Sequence, residues 1–283
     1  MTSNRTEAAD LVFERQLKAL WGASMMPFCA EVKEPFWTDS LQSLRERLEQ
    51  LISVRASGLL HGLNGVGKSL LLQGLLQELS PKAYHPWVVA HSSLTGSDLI
   101  RYLVRLSGKT PMLRRSDNIG LLERHWQEMT PQWPVLVLEE AQNLNAGALE
   151  EVRLLTCSTP DTQAPFSLLL VGDDNLLPRL SMGINRPLLS RLGFCFEVRG
   201  WDRTQIQSYI QARLREAAIQ SNPFETAAME LMIQIANGLP RVINHLAQRS
   251  IEEAATQNQR IITTGHVQSA LDRLPWLVRL ARP

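Results

Sequence analysis

Cysteine is scarce in this chain, and its three copies are scattered. Cys29, Cys157 and Cys195 form no CxxC pair and no even-numbered set, which argues against a disulfide framework and predicts reduced, mostly buried thiols in a cytoplasmic protein. No apolar run approaches the roughly 18 residues that span a bilayer, and Met1 to Glu7 lacks a charged-then-apolar leader pattern. A membrane-integral protein is therefore not expected. Charge of one sign is missing too: 29 Lys and Arg face 28 Asp and Glu, a formal net charge of +1, so any nucleic-acid partner must be argued from local clustering. Internal repeats and low-complexity tracts are absent. What remains is 44% hydrophobic and 20% charged over 283 residues, enough to bury a sizeable core, with room for one larger and one smaller domain.

One stretch organises the rest. Gly62, Leu63, Asn64, Gly65, Val66, Gly67, Lys68 and Ser69 satisfy GxxxxGK[ST] at every fixed position. Gly58 to His61 before it reads as a short buried strand, and Leu70 to Leu76 after it as an apolar helix, the strand–loop–helix context that the motif requires. Glycines let backbone N–H groups converge on a triphosphate at the positive end of a helix. Lys68 is placed to reach the β- and γ-phosphates, and the Ser69 hydroxyl to ligate Mg²⁺. ATP and Mg²⁺ are the expected cofactors.

Upstream, Leu11, Phe13, Leu17 and Leu20 predict an amphipathic helix. Met26 to Trp37 is irregular and aromatic, to pack on the core or to flank the base. Thr38 and Asp39 then cap a helix carrying Leu41, Leu44, Leu48, Leu51 and Ile52 on one face. Downstream, Pro81 and Pro86 bracket a turn before a strand at Trp87 to His91. A helix beginning near Ser97 or Asp98 follows, and another runs from Asn118 to Met129. Between Leu99 and Ser116 lie Arg101, Arg105, Lys109, Arg114 and Arg115 and no acidic residue. This window is either a contact for a phosphate backbone or a solvated basic face.

Pro134 to Leu138 predicts a buried strand running into Glu139 and Glu140, which delivers two carboxylates beside the phosphate loop. Glu139 would hold Mg²⁺ or its waters, and Glu140 would polarise the attacking water. Aspartate is usual at the first position, so slow hydrolysis is conceivable. Leu144 to Thr156 is helical, and a fourth strand from Pro165 to Gly172 ends at Asp173, Asp174 and Asn175. Asp173, with Asn175 as the alternative, would sense the γ-phosphate or simply cap the next helix. A strand at Phe194 to Val198 precedes four helices, Thr204 to Ala218, Phe224 to Ala236, Val242 to Ala255 and Thr263 to Leu274.

Together these motifs resemble the AAA+ ATPases, in particular the ExeA/GspA-type ATPases and the transposition regulators of the TnsC and MuB kind. The resemblance rests on Met26-Pro27-Phe28, Pro35-Phe36, Gly62 to Ser69, Leu138 to Leu144, Leu169 to Gly172, Leu189-Ser190-Arg191 and Gly238-Leu239-Pro240-Arg241. It implies an α/β class fold, a three-layer AAA+ P-loop NTPase domain at 38–201 with a small helical lid at 202–274, an N-terminal extension at 1–37 and a tail at 275–283. It further implies that Arg191, with Arg186 as the alternative, completes a neighbouring subunit's ATP site, and that Arg241 couples the lid to the γ-phosphate. Arginine suits both roles through its rigid charged fork.

The function so implied is an ATPase that forms a ring or helical filament of identical subunits on double-stranded DNA without regard to sequence, and serves a transposase and a target-selection protein. Secretion-type relatives carry a membrane segment and a wall-binding region that this sequence lacks, which favours the transposition branch. An assembly or secretion-type ATPase acting on protein partners, and a weakly hydrolysing nucleotide switch, remain the alternatives.

Overall fold

A computed structural model describes residues 15–29, 35–90, 93–157, 164–274 and 276–277. Leu11, Phe13, His91 and most of the expected 275–283 tail lie outside the described residues. The chain divides into two compact units, one of residues 39–63 and 67–198, the other of residues 1–38, 64–66 and 199–283.

The first unit is built on a parallel sheet of five strands. Gly58–His61 (β1), Tyr84–Val89 (β2), Trp133–Leu138 (β3), Ser167–Gly172 (β4) and Phe194–Glu197 (β5) stand in the order β2-β3-β4-β1-β5. All four pairings are parallel. Strand β4 is buried along its whole length and β3 from Pro134 onward, as continuous apolar runs demand when helices cover both faces. Helix Asp39–Ser53 (α2) buries all five predicted leucine and isoleucine positions and packs on Lys68–Glu78 (α3). Gly96–Leu106 (α4) packs on Arg115–Glu128 (α5) and Ala146–Leu155 (α6). Short helices Leu176–Ser181 (α7) and Arg186–Leu189 (α8) lead to β5.

Two expectations need correction. Pro86 lies inside β2 and does not bound a turn. Strand β2 is an edge strand, so a residue without an N–H leaves no ladder bond unmade on its outer side. None of the three thiols is in a disulfide, but only Cys29 is half-buried, and Cys157 and Cys195 are exposed. Cys195 points outward from β5, the opposite edge of the sheet, where alternate side chains face solvent.

The second unit contains Arg203–Glu216 (α9), Thr226–Ala236 (α10), Pro240–Thr256 (α11) and Thr264–Arg273 (α12). Reciprocal capping boxes, Asp202 with Gln205 and Thr263 with His266, start α9 and α12, which satisfies N–H groups that a helix end leaves unpaired. The aromatic lead-in belongs here: Phe28 meets Tyr209 and Phe224, and Phe36 meets Trp201 and Tyr209, all edge to face. Residues 15–21 form the first helix of the chain (α1) and bury Leu17.

At one end of the first unit His125 stacks on Trp87, with ring centroids 5.6 Å apart. Burial, then Lys109, lower its pKa, against the opposing pull of Glu128 and with a further small push from His85. A histidine whose native proton affinity is below its unfolded one keeps its full contribution above the ordinary histidine pKa and loses it as pH falls. The denaturant midpoint of the wild-type chain should therefore drop more between about pH 7.5 and about pH 5 than that of His125→Phe.

Candidate functional site

Strand β1 ends at His61 and α3 starts at Lys68, so the phosphate motif is a loop followed by the first turn of a helix. Gly62 has φ 154°, and a Cβ there would stand 2.3 Å from the carbonyl oxygen of Val198. Gly65 has φ 87°, and its Cβ would stand 2.8 Å from that of Arg241. Neither position admits another residue without moving backbone. Gly67 is the N-cap of α3 and offers no side-chain acceptor, so the leading N–H groups of that helix are left for an anion.

Lys68 is only 7% exposed. Its ammonium donates to the carbonyls of Gly62 at 2.7 Å and Leu63 at 3.1 Å, so the cation is held across its own loop. An ammonium with few contacts would not be stable at that burial. Ser69 and Glu139 line one cleft along α3 together with Leu72, Gln73, Leu76 and Gln77, so the two expected Mg²⁺ ligands are brought together. Burial, and secondarily the Glu140 charge, raise the Glu139 pKa. A cation beside this carboxylate would relieve both effects. Among the described residues no group of three His, Cys, Asp or Glu is placed to hold a metal; phosphate oxygens and water would supply the remaining Mg²⁺ ligands. The residues present thus fit a nucleoside triphosphate with Mg²⁺.

Glu140 follows at the end of β3 in a left-handed conformation, φ 50° and ψ 37°. Its Oε2 accepts from Gln142 Nε2 at 2.8 Å, and Gln142 Oε1 accepts the N–H of Asp173 at 3.1 Å. The Asp173 carboxylate accepts the backbone N–H of Asn175 at 2.9 Å and its side-chain amide at 3.2 Å. Both candidate sensors are thus engaged with each other in the turn after β4. The guanidinium of Arg179 donates to the carbonyls of Gln142 and Leu144. Sequence reasoning assigned nothing to Gln142 or Arg179. Gln142 stood inside a recognised box without a role, and no spacing signal marks Arg179.

The arginines expected to act on phosphate differ in setting. Arg191 is exposed, with Nη1 donating to the Pro187 carbonyl at 3.4 Å and Nη2 lying 2.8 Å from Cys157 Sγ. Arg186 donates to the Ser181 carbonyl at 3.3 Å. Arg241 donates its backbone N–H to the Gly65 carbonyl at 3.3 Å, a contact inside the second unit, to which residues 64–66 belong. This register depends on Gly238, whose Cβ would stand 2.9 Å from the Trp201 carbonyl oxygen.

The basic window does not act as five equal charges. Lys109 pairs with Glu128 at 3.3 Å, and Arg115 holds Glu151 in a two-pronged contact at 2.5 and 2.6 Å. Arg101 and Arg105 lie one turn apart on α4, and Arg114 is the exposed N-cap of α5. The connecting loop is held by buried Asn118, which accepts the Met112 N–H at 2.7 Å and donates to its carbonyl at 3.0 Å. Leu113 beside it is 94% exposed.

Ser69→Ala and Glu139→Gln should each weaken the Mg²⁺-dependent part of ATP binding by about tenfold or more and leave binding in chelator nearly unchanged, whereas Lys68→Ala should weaken both. Calorimetric titration with and without Mg²⁺ separates these outcomes.

Comparison with known proteins agrees with this geometry. Residues 50–180 match the family model described as AAA domain. General secretion pathway protein A of Aeromonas hydrophila is 25% identical over 219 residues, which cover 75% of this chain and 39% of that protein. The chain therefore spans well under half the length of this relative. Among solved structures, the Aeropyrum pernix ORC2 protein in its ADPNP and ADP complexes aligns with TM-score 0.64 and 15% identity over 90% of this chain and 72% of that one. The Aeropyrum pernix ORC1 protein in complex with DNA aligns with TM-score 0.63 and 16% identity over 85% and 66%. The sheet order, the phosphate loop and these likenesses converge on the AAA+ P-loop fold, and residues 50–180 are the part that matches the AAA domain model.

Proposed function

We propose that the protein is a cytoplasmic ATPase that assembles on duplex DNA and regulates transposition by recruiting or activating a transposase. The observation that carries the nucleotide half is the convergence of buried Lys68, Ser69 and the Glu139–Glu140 pair at the carboxyl ends of β1 and β3, the two parallel strands that flank β4. Lys68 and the loop amides bind the phosphates, and Ser69 with Glu139 holds Mg²⁺. Held there, Mg²⁺ would supply neutralisation of the phosphate charge. Glu140 accepts a proton from the attacking water, and Asp173 or Asn175 senses the phosphate from the end of β4. Arg241 contributes from its place against Gly65, and Arg191 or Arg186 from a neighbouring copy, so a ring or filament is the active form. Arg191 and Arg186 are both exposed, which suits supply in trans.

The DNA half is supported by Arg101, Arg105 and Arg114, which stand at one helical hairpin with no acidic partner among the described residues. Contacts of this kind address phosphates and ignore sequence. The solved likeness in complex with DNA is consistent with this reading. One observation favours a second reading: the likeness to General secretion pathway protein A suits an ATPase that works on protein partners. Glu139 in place of aspartate is compatible with a slowly hydrolysing switch.

Electron microscopy with a slowly hydrolysed ATP analogue, with and without duplex DNA, should show ordered assemblies only when both are present. Arg101→Ala/Arg105→Ala/Arg114→Ala should lose them and reduce the slope of log affinity against log salt by about two to three units. Equal assembly by the variant, or assembly indifferent to DNA, would transfer the reading to a protein partner.

A further inference from the structure

Gln142 has no part in the phosphate chemistry derived above, yet its amide is engaged at both ends. It leaves the 3₁₀ turn Ala141–Asn143 immediately after Glu140. Its donor end meets the Glu140 carboxylate at 2.8 Å, and its acceptor end takes the Asp173 N–H at 3.1 Å. Glu140 lies two residues beyond the end of β3 and Asp173 one beyond the end of β4, and the ladder between those strands is already complete through the pairing of Leu138 with Leu170. The bridge is thus additional to what the sheet needs.

The surroundings hold the bridge in place. The Asn143 N–H closes the turn onto the Glu140 carbonyl at 2.9 Å, and Arg179 holds the carbonyls on either side of Asn143. At Gly172 a Cβ would stand 2.6 Å from Gln142 Oε1, so the side chain fills space that only glycine leaves. Glu140 adopts a left-handed backbone that residues with a Cβ ordinarily avoid. Backbone outliers held by their surroundings point to function when the constraint is visible, and here it is.

We infer that Gln142 is a positioning residue that ties the Glu140 carboxylate to the tip of β4, so that a shift of the Asp173 peptide is passed to the group that polarises the attacking water. The inference rests on the reading of Glu140 given above. The amide suits this task because it presents a donor to an anion and an acceptor to an N–H at once. A carboxylate at 142 would repel Glu140, asparagine is a methylene short of spanning both partners, and methionine fills the volume with neither bond. Two packed elements joined by one polar bridge move together more readily than two joined only by their ladder.

The test compares Gln142→Met, Gln142→Asn, Glu140→Gln and the Gln142→Met/Glu140→Gln double variant with wild type in the full chain, with and without duplex DNA. ATP affinity is read by titration and kcat and KM by steady-state turnover. The expected result is ATP affinity within about twofold of wild type for Gln142→Met, with kcat lowered by about tenfold or more, a fraction of what a general base contributes. In the double variant the Gln142 change should add little to the Glu140 loss, since the two act as a unit. Gln142→Asn should show the same separation of kcat from affinity, and it carries the test if the methionine variant does not fold. Turnover within about twofold of wild type in both Gln142 variants, or a parallel loss of kcat, affinity and melting temperature, overturns the inference. Wild-type turnover that is indifferent to Glu140→Gln instead removes the assignment of Glu140, and with it the role of Gln142.

Discussion

The contact on which the site depends is that of the Lys68 ammonium with the carbonyls of Gly62 and Leu63. A charge this buried must be paired or hydrogen-bonded, and here the loop itself supplies the acceptors. The loop can do so only because β1 delivers Gly62 against the Val198 carbonyl, at a distance no Cβ permits. The strand ends, the glycines and the lysine are therefore one constraint. Loosening the backbone would release the charge, and removing the charge would leave two carbonyls facing inward.

Parallel pairing carries this constraint outward. Because β3, β4 and β1 stand in that order and run in the same direction, their carboxyl ends fall at one end of the sheet, and Glu139, Glu140 and Asp173 fall with them. Switch-point crevices in open parallel sheets form for the same reason. Each end is then trimmed locally: Glu139 shares a cleft with Ser69, Glu140 is turned by its left-handed backbone, and Asp173 is engaged by Asn175. Gln142 and Arg179 hold these pieces in register through polar contacts that no backbone ladder supplies.

The basic hairpin shows how a fold edits a charge pattern. In the chain Arg101, Arg105, Lys109, Arg114 and Arg115 form an uninterrupted positive window. In the fold, Glu128 from the far end of α5 reaches Lys109, and Glu151 from α6 reaches Arg115. Exposed pairs of this kind contribute little to stability, but each removes a cation from the surface a polyanion would meet. Three arginines are left to make the charge that a DNA backbone would feel.

Local pattern was sufficient for much of this molecule. Continuous apolar runs marked β1, β3 and β4, heptad-like leucine spacing marked α2, and GxxxxGK[ST] between a strand and a helix marked the phosphate site, because each is a short-range consequence of side-chain period and backbone freedom. The edge position of β2, which admits Pro86, was invisible because strand order is a property of the sheet and not of the strand. So were the exposure of Cys195 on the opposite edge, the packing of the Phe28 and Phe36 aromatics among Trp201, Tyr209 and Phe224, and the pairing of Lys109 and Arg115 with acids at least 19 residues away. The bridge from Glu140 through Gln142 to Asp173 belongs with these. Sequence by itself determined which residues are candidates for phosphate chemistry, since that follows from residue type and near spacing. Only tertiary structure decided which charges are neutralised and which carboxylate is held, since both depend on which strand ends and helices become neighbours.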